Sequence, residues 1–267
     1  MLGLSKATWA ALLGVVIIST ISATIPVSLL KESKTVDFTN DKTARNASIP
    51  PIDASAPAMT EMATFALGCF WDPDSRFGSM DGVIHTRVGY AGGTTSNPTY
   101  YNLGDHSETI QIDYHPAKIS YEELLKVSWR SHNPALRPWS KQYASIIFYH
   151  NEEQRRLAIA TKQREETRLG TRVFTEIIPF SDFYLAEEYH QKYFLQQVDE
   201  LMSEFSVIYP DIKDFTDSTA AARVNGYING YGTLERLQEQ LSSFGLSSPA
   251  NETLLEIGRR LPTNVSD

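Results

Sequence analysis

The chain contains a single cysteine, Cys69, in a position that suits a reactive thiol. It follows a short apolar run at residues 62–67 that is typical of a strand, and Gly68 marks a turn into a helix that begins near the cysteine. The free N–H groups and the dipole at a helix N-terminus stabilise a thiolate. A lone cysteine is more often inert apolar filling in a core. Cys69 is therefore a candidate nucleophile, with the inert role as the alternative.

Two aromatic residues, Phe70 and Trp71, follow the cysteine directly. Neighbouring side chains on a helix point about 100° apart, so these two need not pack into one core layer. Core filling is the default interpretation of both. If they instead line a pocket beside Cys69, they form a small apolar box that suits the methyl group of a thioether.

The composition excludes several classes of function. There are 32 acidic and 24 basic residues and a formal net charge of −8, which is unsuited to neutralising phosphates and argues against a nucleic-acid partner. One cysteine excludes an internal disulfide and a four-thiolate metal site. His106 and His190 lack the spacing of metal ligands, so we interpret both as structural and expect no metal site.

An uncharged, mostly apolar run at residues 7–30 lies between Lys6 and Lys31. At ~1.5 Å rise per residue, this run is long enough to cross a hydrocarbon layer of ~30 Å as a helix. We interpret it as an uncleaved membrane anchor. A cleaved signal peptide is the alternative, because Thr20 and Ser22 provide a small-x-small pattern. Both place the protein in the secretory pathway, either membrane-anchored or secreted, which agrees with Asn-x-Ser/Thr triplets at Asn46, Asn251 and Asn264.

Strand patterns interleave with helical patterns along the middle of the chain. Strands are expected at residues 62–67, 83–90, 109–114, 144–149 and 172–178, and helices at 121–132, 151–169 and 182–197. Ser120 and Asn151 are expected to cap two of the helices, and Gly170 to end one. The pattern predicts the α+β class: a two-layer α/β sandwich with a mixed sheet, related to the ferredoxin-like plait, plus an N-terminal hydrophobic helix.

The predicted domain organisation has four parts. They are a signal anchor or signal peptide (1–31), a flexible stalk rich in Thr, Ser, Ala, Asp and Pro (32–60), a catalytic domain (61–198) and a partly helical C-terminal extension (199–267). In the extension, Leu234, Leu237 and Leu241 recur at helical spacing.

Several separated strings in residues 62–193 carry a family resemblance. They are GCFW at 68–71, GYAGG and NPTY within 89–100, DHSE at 105–108 and FYLAEEYHQKY at 183–193. In this order and at this spacing, the segment resembles peptide methionine sulfoxide reductase of the A class. The resemblance implies a catalytic domain that reduces methionine sulfoxide with thiols as the reductant.

The resemblance also implies roles for individual residues. Cys69 matches the nucleophile, Phe70 and Trp71 the methyl pocket, and Glu108 the acid that activates the sulfoxide oxygen. Such an acid is needed because a sulfoxide sulfur is a poor electrophile until its oxygen is protonated, and partial burial would raise the pKa of Glu108. Attack by the thiolate would leave Cys69 as sulfenic acid.

Three further residues match the family in the same way. Tyr100 and Tyr193 correspond to the phenols that hold the sulfoxide oxygen. Glu188 stands where the family commonly has aspartate, and it is one methylene longer but able to accept the same hydrogen bonds.

The implied function is thiol-dependent reduction of methionine S-sulfoxide, free or in proteins, which repairs oxidised methionine. It needs no bound cofactor, only an external thiol reductant such as thioredoxin, a glutathione-type thiol or another dithiol. Many relatives carry resolving cysteines in a glycine-rich tail, whereas residues 226–232 have none, so no internal disulfide can close the cycle. The alternatives are a non-catalytic protein that binds methionine sulfoxide and a peroxide-reactive thiol protein.

The sequence departs from the family pattern near the thiol. Asp72 and Pro73 replace the common glycine and aliphatic residue, and the negative charge of Asp72 should oppose thiolate formation. The loop between Tyr100 and Glu108 is shorter than usual. Residues 137–141 occupy a stretch where many members carry an Asp-x-Gly turn, so we expect reshaped substrate-facing loops.

Overall fold

A six-stranded mixed sheet forms the frame of the protein in the computed structural model, which describes residues 49–263. Its strands are β1 (Glu61–Leu67), β2 (Val83–Ala91), β3 (Ser107–Tyr114), β4 (Ser145–Tyr149), β5 (Glu176–Pro179) and β6 (Phe183–Leu185). They are arranged in the order β5-β4-β1-β3-β2-β6, and every neighbouring pair is antiparallel except β4 and β5. The expected mixed α/β character is confirmed.

One short helix precedes the strands, and further helices lie between the strands and after them along the chain. They are α1 (Pro51–Ala54), α2 (Trp71–Gly78), α3 (Tyr121–Arg130), α4 (Glu152–Leu169), α5 (Asp199–Ile208), α6 (Ile212–Thr216), α7 (Thr219–Ile228), α8 (Leu234–Gln240) and α9 (Ser248–Gly258). The succession β1-α2-β2-β3-α3-β4 is the β-α-β-β-α-β order of the expected plait. Across residues 49–263, no helix is both long and apolar enough to cross a membrane, and the apolar run at residues 7–30 lies outside this range.

The main core lies between one face of the sheet and helices α2, α3 and α4. Alternate residues of β1 point to this face, among them Phe65, which is fully buried. Its ring stacks on Phe77 of α2 at 5.7 Å and on Tyr121 of α3 at 6.2 Å between ring centroids. Burial of these apolar side chains holds α2, and with it the cysteine that precedes it, against the sheet.

Local signals position the helix ends as the sequence predicts. Ser120 and Glu123 form a capping box at the start of α3, and the Asn151 side chain accepts a hydrogen bond from Gln154 N–H at the start of α4. Gly170 ends α4 at a φ of 64°, a conformation that favours glycine.

The helix expected at residues 182–197 is wrong. The chain instead adds β6 to the edge of β2 and continues through 3-10 turns at Glu188–His190 and Leu195–Gln197. Beyond β6, the Gln191 side chain accepts a hydrogen bond from Val88 N–H and donates one to Val88 O, at 3.1 and 2.9 Å. Pairing with the edge of the sheet therefore overrides the local helical pattern.

The stalk expected at residues 32–60 is wrong for its final part. Residues 51–54 form α1, and Ile52 packs against the core of the C-terminal helices. The Asp53 carboxylate accepts hydrogen bonds from Thr219 N–H at the start of α7 and from the Tyr209 hydroxyl. Unpaired N–H groups at the start of a helix attract a carboxylate, which fixes this segment in place. The remainder, residues 32–48, lies outside the described residues.

The region after residue 198 has its own apolar core and packs closely on α2. This core is built by helices α5 to α9, and Leu234 and Leu237 lie in α8 as their spacing predicts. A Cβ atom at Gly226 of α7 would lie 2.6 Å from the Ser79 Cβ, just after α2. The absence of a side chain at Gly226 thus permits the close approach of α7 to α2.

A buried ion pair joins the segment after β6 to α2. The Lys192 Nζ lies 3.3 Å from Asp74 Oδ1, and both side chains are fully buried. The Lys192 N–H donates to the other oxygen of Asp74, and Lys192 Nζ donates to Thr86 Oγ1 on β2. Asn225 of α7 donates to the same carboxylate. Burial lowers the pKa of Lys192, and the charge of Asp74 opposes this shift.

We predict that Lys192→Met lowers the free energy of unfolding by about 3–5 kcal/mol, because it leaves the buried charge of Asp74 without its cation. Urea denaturation measures the loss. Lys126→Met is the control, since Lys126 is exposed and forms no ion pair within residues 49–263, and it should change stability by less than about 0.5 kcal/mol. Equal effects of the two substitutions would contradict the prediction.

Candidate active site

Cys69 lies at the junction between β1 and α2, where its side chain is exposed. Gly68 makes the turn with a φ of 89°. Packing beside the thiol raises the pKa of Cys69 by removing part of its hydration. The backbone N–H of Trp71 opposes this shift, whereas the negative charges of Glu108 and Asp72 add to it. The helix terminus therefore assists the thiolate, as expected, but does not outweigh the other effects.

Glu108 of β3 is buried beside the cysteine backbone. Its Oε2 accepts a hydrogen bond from Phe70 N–H at 3.1 Å, and its Oε1 accepts one from Gln142 Nε2 at 2.8 Å. Burial raises the pKa of Glu108 above its usual value, although both hydrogen bonds act in the opposite direction. The carboxyl group therefore retains a proton at higher pH than an exposed glutamate, as expected from the sequence.

An aromatic cluster adjoins the cysteine on its C-terminal side. The Trp71 ring stacks on Tyr193 with 3.8 Å between centroids and an angle of 8°. Trp71 Nε1 donates a hydrogen bond to His190 Nδ1 at 3.1 Å, and the His190 ring also lies 5.0 Å from Phe70 and 4.7 Å from Tyr100. Burial lowers the pKa of His190, which favours the neutral ring that this bond requires. We call these five residues the aromatic box.

His190 is thus more than the structural residue that the sequence suggests. It is the hydrogen-bond acceptor that orients Trp71. His106 does have a structural position, because its Nδ1 accepts a hydrogen bond from Gly93 N–H at 3.2 Å.

The two acidic residues of the last motif have different environments. The Glu187 carboxylate accepts hydrogen bonds from Tyr100 N–H at 2.9 Å and from the Tyr90 hydroxyl at 2.7 Å. Desolvation raises the pKa of Glu187, but the lowering by these hydrogen bonds is larger, so the pKa falls below its usual value. Glu188 begins a 3-10 turn and is exposed, and within residues 49–263 its carboxylate accepts no hydrogen bond. Glu187 is therefore the acid that binds Tyr100 and Tyr90, and a role for Glu188 stays a prediction.

Gln142 and Tyr143, in the turn just before β4, are site residues that the sequence motifs do not identify. Gln142 binds Glu108 through its side chain, and its backbone oxygen accepts from Glu108 N–H at 2.8 Å. Desolvation, together with the negative charge of Glu108, raises the pKa of Tyr143 to about 12. The only sequence signal is their adjacency before a strand, because contact with Glu108 arises from the pairing of distant segments.

The glycine-rich region near the C-terminus holds the start of α2. The Asp72 carboxylate accepts hydrogen bonds from the Tyr231 hydroxyl at 2.6 Å and from Asn229 Nδ2 at 3.2 Å. Arg76 lies 3.6 Å from the same carboxylate and 4.5 Å from the Tyr231 ring centre. These contacts fix a negative charge near the thiol.

The site combines an exposed cysteine before a helix with a buried carboxyl group on one side and the aromatic box on the other. This combination is typical of enzymes that react through a thiol. The model of the family described as peptide methionine sulfoxide reductase matches residues 61–223. The chain therefore belongs to this family of oxidoreductases. The match continues into the first half of α7, past the domain boundary expected at residue 198.

Individual relatives agree with this assignment. The chain is 40% identical over 230 residues to a peptide methionine sulfoxide reductase of Drosophila melanogaster, covering 85% of this chain and 90% of the relative. It is 41% identical over 180 residues to peptide methionine sulfoxide reductase A5 of Oryza sativa subsp. japonica, covering 65% and 70%. The crystal structure of Mxr1 from Saccharomyces cerevisiae in reduced form matches with a TM-score of 0.50 and 30% identity, covering 53% of this chain and 87% of Mxr1.

We predict that Asp72→Asn lowers the pKa of the Cys69 thiol, because it removes one of the negative charges that disfavour the thiolate. Alkylation by iodoacetamide at neutral pH should then be faster, and its pH profile should shift towards lower pH. The control is Glu256→Gln, which also removes one negative charge but at an exposed position of α9, distant from Cys69 in sequence. An Asp72→Asn thiol that reacts no faster than that of the control would contradict the prediction.

Proposed function

We propose that the protein reduces the S-epimer of methionine sulfoxide, in proteins or as the free amino acid, with Cys69 as nucleophile. One observation carries the proposal: the Glu108 carboxyl group accepts a hydrogen bond from Phe70 N–H, the peptide group directly after Cys69. An acid with a raised pKa is thereby held next to an exposed thiol. Reduction of a sulfoxide needs this pair, because the oxygen must be protonated while the sulfur is attacked.

In the proposed reaction, the methyl group of the substrate enters the aromatic box between Phe70 and Trp71. Tyr100 and Tyr193 hold the sulfoxide oxygen by hydrogen bonds, and Glu108 donates a proton to it. The Cys69 thiolate attacks the sulfur, and two electrons pass from the cysteine to the substrate.

The products of this step are the thioether and an oxidised cysteine. The oxygen ends on Cys69 as sulfenic acid, and methionine is released. Glu188, exposed beside the box, is proposed as an additional hydrogen-bond acceptor for the substrate.

A thiol from outside the chain completes the proposed cycle. Because the sequence has one cysteine, the sulfenic acid of Cys69 has no partner within the chain for a disulfide. An external thiol attacks it, water leaves, and a second thiol reduces the mixed disulfide. The proposed reductant is thioredoxin, a glutathione-type thiol or another dithiol, with no bound cofactor.

The function is tested by reduction of a peptide that contains methionine S-sulfoxide, with dithiothreitol as reductant. Cys69→Ser should abolish turnover and keep the fold. Glu108→Gln should slow it by ~10²-fold or more, since the amide cannot deliver a proton. Wild-type activity should fall as pH rises through the raised pKa of Glu108, and Glu108→Gln should lack this decline.

The same assay separates the alternatives. Oxidation of Cys69 by peroxide needs no proton on a sulfoxide oxygen, so Glu108→Gln should affect it less. An equal loss of both reactions would show that Glu108 only tunes the thiol. Wild-type protein that binds the sulfoxide peptide without turnover would identify a binding protein instead.

We predict that one turnover without external thiol leaves Cys69 as a sulfenic acid that dimedone traps. Turnover should then increase with thiol concentration until another step limits it. Mass spectrometry after a single turnover provides the measurement. Release of methionine from a protein whose Cys69 remains unmodified would refute the one-cysteine cycle.

The proposed location is the secretory pathway, with residues 7–30 as a membrane anchor. The length of this run and its lack of charge support the proposal. We predict that the full chain, expressed in a eukaryotic cell, stays with membranes after carbonate extraction. A soluble secreted product that begins near Ala23 would instead establish a cleaved signal peptide.

A further inference from the structure

A groove of about 500 Å³ opens beside Cys69. It is formed by the end of β1, by residues of the segment 132–139, by Tyr143 and by Ser145 at the start of β4. Neither Phe70 nor Trp71 lines it, so this space is distinct from the aromatic box. Its volume lies in the range of ~300–1,000 Å³ found for pockets that take whole drug-sized ligands, which exceeds the needs of a single sulfoxide group.

Two large apolar side chains line this groove and are left uncovered by residues 49–263. Trp139 is 81% exposed and Leu136 is 63% exposed. Two more exposed aromatic residues adjoin the box, namely Tyr101 at 91% against Tyr100, and Tyr189 at 48% against His190. Apolar side chains exposed together around a reactive group mark a binding surface rather than ordinary surface composition.

The backbone that carries Trp139 and Leu136 is anchored. Phe174 N–H donates to Pro134 O at 2.8 Å, and the guanidinium of Arg137 lies 4.6 Å from the Phe174 ring centre. The Trp139 ring packs on Tyr143 with 5.0 Å between centroids. An ordered segment loses little conformational entropy when a ligand binds, so its exposed side chains are suited to recognition.

We infer that Trp139 and Leu136 bind the polypeptide residues that flank an oxidised methionine. The inference rests on the proposed function and specifies its substrate class: methionine sulfoxide within a chain that has apolar neighbours. The groove is continuous with the thiol because Cys69 itself lines it. A chain that brings its sulfoxide to Cys69 continues past the reacting atoms on both sides, whereas the free amino acid leaves Trp139 uncovered.

The test compares three substrates that differ only in what surrounds the sulfoxide. They are a peptide with leucine and phenylalanine neighbours, the same peptide with glycine neighbours, and N-acetyl-methionine S-sulfoxide, all reduced with dithiothreitol. In the double variant Leu136→Ala/Trp139→Ala, the preference for the apolar peptide over the glycine peptide should fall at least tenfold. This equals about 1.4 kcal/mol and should come from KM rather than kcat.

Val207→Ala is the matched control, because Val207 is an exposed apolar residue on α5 that does not line the groove. It should keep the wild-type preference. Binding of the labelled apolar peptide to Cys69→Ser, with and without the two groove substitutions, measures affinity apart from turnover and should weaken by a similar factor.

Three outcomes would overturn the inference. They are an unchanged preference in the double variant, an equal loss for all three substrates, and, in a parallel assay with thioredoxin in place of dithiothreitol, a raised KM for thioredoxin with unchanged peptide kinetics. The last outcome would assign the groove to the reductant. Absence of turnover with every substrate in wild-type protein would instead refute the proposed function. The two failures are therefore distinguishable.

Discussion

The buried pair of Lys192 and Asp74 is the interaction on which the site depends. Asp74 belongs to the helix that begins with Trp71, and Lys192 lies between His190 and Tyr193. A charge in the interior is tolerable only when a partner and hydrogen bonds satisfy it, so the two segments cannot separate without a large cost. The stack of Trp71 on Tyr193 and the bond from Trp71 to His190 follow from this constraint.

Partial burial has opposite consequences for the two reacting groups, Glu108 and Cys69. It raises the pKa of Glu108, which keeps a proton available for the sulfoxide oxygen. It also raises the pKa of Cys69, which disfavours the thiolate. Protonation of Glu108 removes a negative charge near the thiol, so the state that activates the substrate also favours its attacker. Activation of the sulfoxide oxygen and ionisation of the thiol are therefore compatible, because the proton on Glu108 favours both.

Predictions from the sequence succeeded where the cause is local. Ser120 and Asn151 begin helices by accepting hydrogen bonds from backbone N–H groups a few positions later, and Gly170 ends a helix through its own positive φ. The motif strings named Cys69 and Glu108 as candidate site residues through the family resemblance. The path of residues 182–197 was missed because Gln191 bonds to Val88, which is distant in sequence. Gln142, Glu187 and α1 were missed for the same reason, since each is defined by contacts between separate segments.

The close contact of α7 with α2 changes what counts as the smallest autonomous folding unit. Asn225 bonds to Asp74 and to the N–H of Leu195, and Asp53 of α1 bonds to the start of α7. A fragment that stops at residue 198 loses these partners and exposes the face of α2 that Gly226 contacts. The functional module therefore extends beyond the motif-bearing segment in both directions, because α1 before the first strand and α7 after the last motif both pack on it.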